Sequence, residues 1–286
     1  MTLESPQHRL RARAGAWNVT IERTLETESS VIGVGRRGVR GVVLKVVKTP
    51  GDEWHSGAVV RAFGGRGVVH VHEFEDGALL LERLSPGDSL ADLASAGDDE
   101  AATAIVADVI QRMHAPSTPR GCPHVMDWCA GFDGYLRSGD QRIPTSLVDD
   151  ARARFASLAS SQRRPRLLHG DLQHYNILFD TNRGWLAIDP KGVVGEVEYE
   201  VGAVLRNPAE SPDLFTSAAT VARRVSQLSG LLGIDPGRTL EWGYVQAVLS
   251  AIWCLEDGHE VTADSAVLRL ANVIRSMISG ADPHDE

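Results

Sequence analysis

Cysteine is scarce in this chain. Cys122, Cys129 and Cys254 make an odd number with no Cys-x-x-Cys spacing. Neither a disulfide framework nor a cysteine zinc site is expected, and a reducing, cytoplasmic setting fits best. Uncharged apolar runs of about eighteen residues are missing, and no apolar segment follows the N-terminal arginines, so neither a membrane span nor a secretory leader is expected. Positive charge is in deficit: 29 Lys and Arg face 38 Asp and Glu, a formal net charge of -9. That disfavours a nucleic-acid partner, which needs a basic footprint, and suits a cationic ligand better. What remains is the composition of a globular protein, 43% hydrophobic and 23% charged over 286 residues, long enough for two lobes and a large core.

One stretch organises the rest. Leu167 to Lys191 reads LLHGDLQHYNILFDTNRGWLAIDPK. Two apolar strand-like runs, Asn176 to Phe179 and Trp185 to Ile188, are joined by the turn Asp180-Thr181-Asn182-Arg183-Gly184. If they pair, Asn176 and Asp189 come side by side at one rim, with Asp171 on the loop just before them. Three oxygen-bearing side chains then converge.

Phosphoryl transfer from a nucleotide needs such a trio. Magnesium prefers oxygen ligands and bridges phosphate oxygens, so one amide and one carboxylate, Asn176 and Asp189, suffice from the protein. A carboxylate off the metal, Asp171, orients the acceptor hydroxyl and takes its proton. Four residues separate Asp171 from Asn176, and Asp189 stands thirteen residues beyond it at a strand end. That is the eukaryotic-type kinase spacing, with His169-Gly170-Asp171 for His-Arg-Asp and Asp189-Pro190-Lys191 for Asp-Phe-Gly. His169 is read as a loop-bracing hydrogen-bond group, and His174 as solvated or structural.

HGDLQHYNILF followed by GWLAIDPKGVVGEVEYE resembles the aminoglycoside phosphotransferases, in particular the streptomycin 6-phosphotransferase and hydroxyurea kinase branch, to which Gly192-Val193-Val194-Gly195-Glu196 points. The resemblance is specific over residues 167 to 208 and looser over 27 to 90. Gln173 and Tyr175 stand where relatives often carry His and Glu. The resemblance implies an α+β, two-lobed, protein-kinase-like fold, with a small β-rich N-lobe at 1–84 and a larger, mainly helical C-lobe at 85–286. It also implies ATP or GTP with magnesium, and an aminoglycoside acceptor such as streptomycin through its 6-hydroxyl.

The N-terminal half fits a nucleotide lobe. Residues 1 to about 20 are either a lead-in or a packed first helix. Val19 to Glu28, Val31 to Val34 and Val39 to Val47 read as strands of a small antiparallel sheet. Gly33-Val34-Gly35-Arg36-Arg37-Gly38 matches G-x-G-x-x-G, but a dinucleotide site requires a helix there and a strand follows, so these read as hairpin glycines. Thr27-Glu28-Ser29-Ser30 is the candidate phosphate-covering turn, with Ser29 and Ser30 as contacts. Lys45 stands inside the apolar strand VVLKVVK, and a buried ammonium needs a partner. Glu53, in the first turn of a helix over 52–63, is that candidate, and Lys45 would hold nucleotide phosphates. The competing reading turns Lys48 to the site and leaves Glu53 complementing the helix end. A hairpin over 68–84 ends at Leu84-Ser85-Pro86-Gly87, which reads either as a hinge whose backbone near Glu82 and Leu84 pairs with adenine, or as an ordinary strand end.

Beyond residue 84 helices dominate, with Asp98-Asp99-Glu100 capping one through His114, Ser146–Ser160 leading to the catalytic loop, and Asp235-Pro236 starting another. Residues 192 to 208 read as a short segment rather than a phosphorylated activation loop. For a cationic acceptor, Glu196, Glu198, Glu200, Glu256, Asp257 and Glu260 are the available carboxylates. Trp128 and Trp253 can stack on it or pack in the core. A protein kinase is disfavoured by Gly170 and the short segment after Asp189. A kinase for hydroxyurea, a sugar or an amino alcohol would use the same residues, whereas a non-catalytic nucleotide-binding module should have lost one of Lys45, Asp171, Asn176 or Asp189. Oligomeric state is not encoded in any motif.

Overall fold

A computed structural model describes residues 4–280. α1 (Pro6–Ala16) starts at a proline, and the Ser5 hydroxyl ahead of it accepts from the His8 N–H at 3.2 Å. Leu10 and Ala14 are its buried residues, packed with Val31, Val42 and Leu44 of the sheet, so the N-terminal segment is a packed helix. β1 (Thr20–Glu26), β2 (Ser30–Arg37) and β3 (Arg40–Val47) follow as an antiparallel run.

The G-x-G-x-x-G match is strand and hairpin, as its context predicts. Only Gly38, at φ 62°, is the turn glycine. Gly35 lies inside β2, where a Cβ would stand 2.0 Å from the Thr20 carbonyl oxygen, so the glycine admits the bulged β1 strand.

The helix expected over 52–63 is divided. A 3₁₀ turn at Asp52–His55 leads into α2 (Ser56–Phe63), which buries Val59, Val60 and Phe63. β4 (Val71–Glu75) and β5 (Ala78–Glu82) complete a five-stranded sheet of order β1-β2-β3-β5-β4. The next strand, β6 (Pro86–Ser89), leaves that sheet and pairs with the later strand Ile177–Asp180.

α3 (Leu90–Ser95) and α4 (Asp99–Arg112) open the helical part. Asp98 stands at the N-cap of α4 but its side chain makes no capping bond, while Asp99 turns inward to Arg223 and Arg224. α5 (Ala130–Ser138) and α6 (Thr145–Ser160) deliver the chain to β7 (Arg166–Leu168). The hairpin β8 (Ile177–Asp180) and β9 (Gly184–Ala187) comes next, then β10 (Val193–Gly195), antiparallel to β7. α7 (Val197–Leu205) was not expected, because VEYEVGAVL has no polar face from which to read a surface helix; all but one of its residues are buried. α8 (Pro212–Phe215), α9 (Ala218–Leu232), α10 (Pro236–Glu256) and α11 (Ala266–Ser279) complete the order. Asp235 caps α10 at Arg238 N, 3.0 Å, with Pro236 in its first turn. α10 packs on both α6 and α7, where Tyr199, Trp242 and Phe155 meet edge to face.

A sheet-rich N-terminal part and a larger helical part make this the α+β class expected. Among the described residues no helix is long and apolar enough to cross a membrane.

Candidate active site

β7 ends at Leu168, and the loop beyond it is held by buried partners. Glu200, projecting from α7, accepts the His169 and Gly170 N–H groups at 2.7 and 2.9 Å. Burial pushes the Glu200 carboxyl up to about 7. The Asp171 N–H donates to His169 Nδ1 at 3.3 Å, so His169 Nε2 carries the proton and donates to the Ile188 carbonyl at 2.8 Å. His169 is fully buried and braces the loop, as expected. His174 is fully buried too, which removes the solvated reading.

These contacts bring the expected trio together. Asn176 donates its amide to the Asp171 main-chain oxygen at 2.9 Å. Pairing of Ile177 with Ala187 sets Asn176 opposite Ile188, whose N–H meets the Asn176 carbonyl at 2.8 Å, and Asp189 follows with φ 59°. A left-handed backbone at a non-glycine residue is sparsely populated and marks a turn held by its surroundings. Asp171 Oδ1 accepts from Arg206 Nη2 at 3.0 Å, and Oδ2 from Gln173 Nε2 at 3.3 Å.

Lys45 stands 7% exposed on β3, with Nζ 2.8 Å from Glu53 and in contact with Asp189. Burial alone would lower its pKa, but the Asp189 and Glu53 carboxylates outweigh that and raise it. Lys45, rather than Lys48, faces the centre; Lys48 pairs with Glu26. A cavity of about 430 Å³ opens here between the two sheets, lined by Ser29, Lys45, Glu82, Leu84 and Asp189 together with apolar Val34, Val43 and Leu178. Ser30 is a correction. Its hydroxyl is fully buried, and its N–H and C=O close the turn against Thr27, so Ser29 lines the cavity and Ser30 does not. The Glu82 side chain is occupied by Arg183 and the His70 N–H.

On the other side of Asp171 lies a larger cavity of about 770 Å³. Trp128 and Trp253 form one wall, edge to face at 5.7 Å, and Glu256, Asp257 and Asp127 supply carboxylates. Four of the six acids expected there are elsewhere. Glu196 has no exposure and is consumed by Arg238, the Trp242 indole N–H and the Arg163 N–H. Glu198 is buried on α7 and does not line the cavity. Glu200 holds the loop instead, and Glu260 is exposed but does not line the cavity. A run with no polar face reads as a short segment, but folded as α7 it is buried and its acids turn inward.

Arg206 was missed in the sequence. The logic that singled out Lys45 would have found it, since a lone cation ending the apolar run VGAVL needs a carboxylate.

The residues fit a magnesium–nucleotide pair. Asn176 uses its amide nitrogen on Asp171, and Asp189 uses Oδ1 on Lys45; among the described residues no protein donor is bonded to the Asn176 side-chain oxygen or to Asp189 Oδ2. Among the described residues no cluster of three or more His, Cys, Asp or Glu could hold a metal by itself, so phosphate oxygens would have to complete the coordination.

A profile of the aminoglycoside/hydroxyurea antibiotic resistance kinase family matches residues 17–258. The streptomycin 3''-kinase of Klebsiella pneumoniae is 33% identical over 248 residues, spanning 85% of this chain and 91% of that one. The streptomycin 6-kinase of Streptomyces glaucescens is 29% identical over 272 residues, spanning 87% and 85%. A solved ternary complex of a thermostable mutant of aminoglycoside phosphotransferase APH(4)-Ia with AMP-PNP and hygromycin B superimposes with a TM-score of 0.65 at 19% identity, over 94% of this chain and 98% of that one. At that identity the likeness shows the shared kinase-like fold.

Proposed function

The chain belongs to the aminoglycoside/hydroxyurea antibiotic resistance kinase family and is a phosphotransferase with a hydroxyl acceptor; from that premise we propose that it moves the γ-phosphate of ATP or GTP, with magnesium, onto a hydroxyl of a cationic aminoglycoside such as streptomycin, inactivating the antibiotic in the cytoplasm. The observation that carries the acceptor class is the 770 Å³ cavity beside Asp171, lined by the carboxylates Glu256, Asp257 and Asp127 together with the indoles of Trp128 and Trp253. Guanidinium and ammonium groups find forked carboxylates and aromatic faces there. Hydroxyurea would fill little of that volume, which favours a multi-ring acceptor.

Residues 1–84 form the nucleotide lobe and 85–286 the catalytic and acceptor lobe in this reading. The 430 Å³ cavity takes the base between apolar side chains, with backbone at Glu82 and Leu84 at its edge and Ser29 towards the phosphates. Lys45, steadied by Glu53, holds phosphate oxygens. Bound magnesium would neutralise charge on the phosphates, and Asn176 and Asp189 are the residues that would hold it. Asp171 accepts a hydrogen bond from the acceptor hydroxyl, aims its oxygen at the γ-phosphorus and receives its proton as the new P–O bond forms and the bond to the nucleoside diphosphate breaks. Positioning and charge neutralisation supply most of the rate.

Incubation with magnesium-ATP or magnesium-GTP and a panel of streptomycin, other aminoglycosides, hydroxyurea, simple sugars and amino alcohols, read by mass, tests this. One added phosphate on an aminoglycoside is the expected product. Transfer only to an uncharged sugar or to hydroxyurea would overturn the acceptor assignment.

A further inference from the structure

We infer that Arg206 is the positioning residue of Asp171, and that a line of buried side chains from Asp99 to Gln246 exists to aim it. This rests on the proposed role of Asp171. Arg206 Nη2 lies 3.0 Å from Asp171 Oδ1, with the two side chains only 12% and 15% exposed. Such a pair costs desolvation on both sides, so it persists only where the geometry is fixed by other contacts.

Those contacts are present on both flanks of Arg206. Arg224, with no exposure, reaches from α9 and donates through Nη1 to the carbonyls of Val204 at 2.8 Å and Asn207 at 2.7 Å. Those two residues bracket Arg206 in the chain. Arg224 is itself locked by Asp99 at the start of α4, through Nε at 3.0 Å and Nη2 at 2.6 Å. From the other side Gln246 of α10 places its amide oxygen 3.5 Å from Arg206 Nη1. Gly202 makes room for it, since a Cβ there would stand 2.4 Å from the Gln246 amide carbon. Three helices thus fix the main chain on both sides of Arg206 and one nitrogen of its guanidinium.

The consequence falls on the two oxygens of Asp171. Oδ1 is taken by a held cation. Among the described residues Oδ2 has only the 3.3 Å contact with Gln173, a side chain that also lines the acceptor cavity. Arg206 therefore assigns the oxygens: Oδ1 anchors, and Oδ2 receives the acceptor hydroxyl. Without Arg206 the carboxylate is free to turn about its side-chain bonds, and a misplacement of about 1 Å costs about 100-fold in turnover.

The test combines kinetics with a crystal structure. Arg206→Met is expected to lower kcat about 100-fold, to leave nucleotide KM within about 3-fold, and to lose little further in an Asp171→Asn background, since the arginine acts through that carboxylate. Arg206→Lys keeps the charge without the fork and is expected to fall between parent and Arg206→Met, with parental thermal stability; it also serves if the methionine variant does not fold. Crystals of the folded variant should show the Asp171 carboxylate rotated or in two rotamers. Full multiplicative losses in the double variant, or an unmoved Asp171 in the crystal, would overturn the inference. If the parent phosphorylates nothing in the panel, the proposed function fails by itself, and the position of Asp171 in the variant crystal still decides the role of Arg206.

Discussion

Asn176 gives its side-chain amide nitrogen to the main-chain oxygen of Asp171, 2.9 Å away. One hydrogen bond thereby sets the loop that carries the proposed base and turns the Asn176 oxygen away for a cation. Loss of this side chain should show in both roles. Asn176→Ala is expected to lower kcat and raise the magnesium concentration needed for half-maximal turnover, whereas Asp189→Ala should also weaken magnesium-nucleotide binding. Magnesium titrations at fixed nucleotide check this, and an unchanged magnesium requirement in Asn176→Ala would remove its assignment as a ligand.

Lys45 is held by two carboxylates on separate elements, Glu53 ahead of α2 and Asp189 after β9. Glu53→Gln leaves Asp189 as the sole charged partner among the described residues, so the ammonium loses one of the two carboxylates that hold it. Nucleotide KM should rise about tenfold, a 1.4 kcal/mol effect, while acceptor KM stays near the parent value. Initial rates with each substrate varied in turn separate the two.

Glu196 and Asp257 are both acidic and differ in what surrounds them. Glu196→Ala strands Arg238 and the Trp242 indole inside the helical core and should cost about 3–5 kcal/mol of stability, without any selective change in acceptor preference. Asp257→Asn, and more so Glu256→Gln with Asp257→Asn, should leave stability within about 0.5 kcal/mol and raise KM for a cationic acceptor about tenfold. Urea unfolding and acceptor kinetics distinguish them; the reverse pattern would show that the acceptor cavity has been misassigned.

His174 makes acid stability a measurable consequence of burial. Among the described residues neither of its ring nitrogens has a partner, and burial, with the nearby Arg224 charge, holds its pKa at about 3. An unfolded histidine titrates near 6.5, so below that pH the unfolded chain binds the extra proton and the folded chain does not. The contribution is complete above about pH 6.5 and is lost as the pH falls towards 3, at about 1.4 kcal/mol per pH unit. Between pH 6.5 and 5, His174→Phe should therefore lose about 2 kcal/mol less than the parent. Equal losses in urea melts at the two pH values would contradict this.

The hairpin of the proposed site was legible because Asp171, Asn176 and Asp189 lie on one short piece of chain whose strand register follows from the sequence. Lys45 was legible because a charge in an apolar strand demands partners. α7 was not, since its pattern lacks a polar face, and with it went the roles of Glu196, Glu198, Glu200 and Arg206. Glu200 and Asp257 are alike as letters; one sits at 1% exposure bonded to two main-chain N–H groups, the other at the exposed end of α10. Ser30 failed for a related reason, because a turn's hydrogen bonds decide which of two adjacent hydroxyls faces the cavity.

Asp171→Ala compared with the parent is the most direct measurement of the central claim, that one carboxylate serves the acceptor while Lys45, Asn176 and Asp189 serve the nucleotide. Phosphate transfer to the best acceptor of the panel should fall at least about 1,000-fold, at the level of losing a general base together with its orienting contact, while magnesium-nucleotide affinity by calorimetry stays within about 3-fold of the parent. Parental turnover in Asp171→Ala, or loss of nucleotide binding together with turnover, would contradict the account.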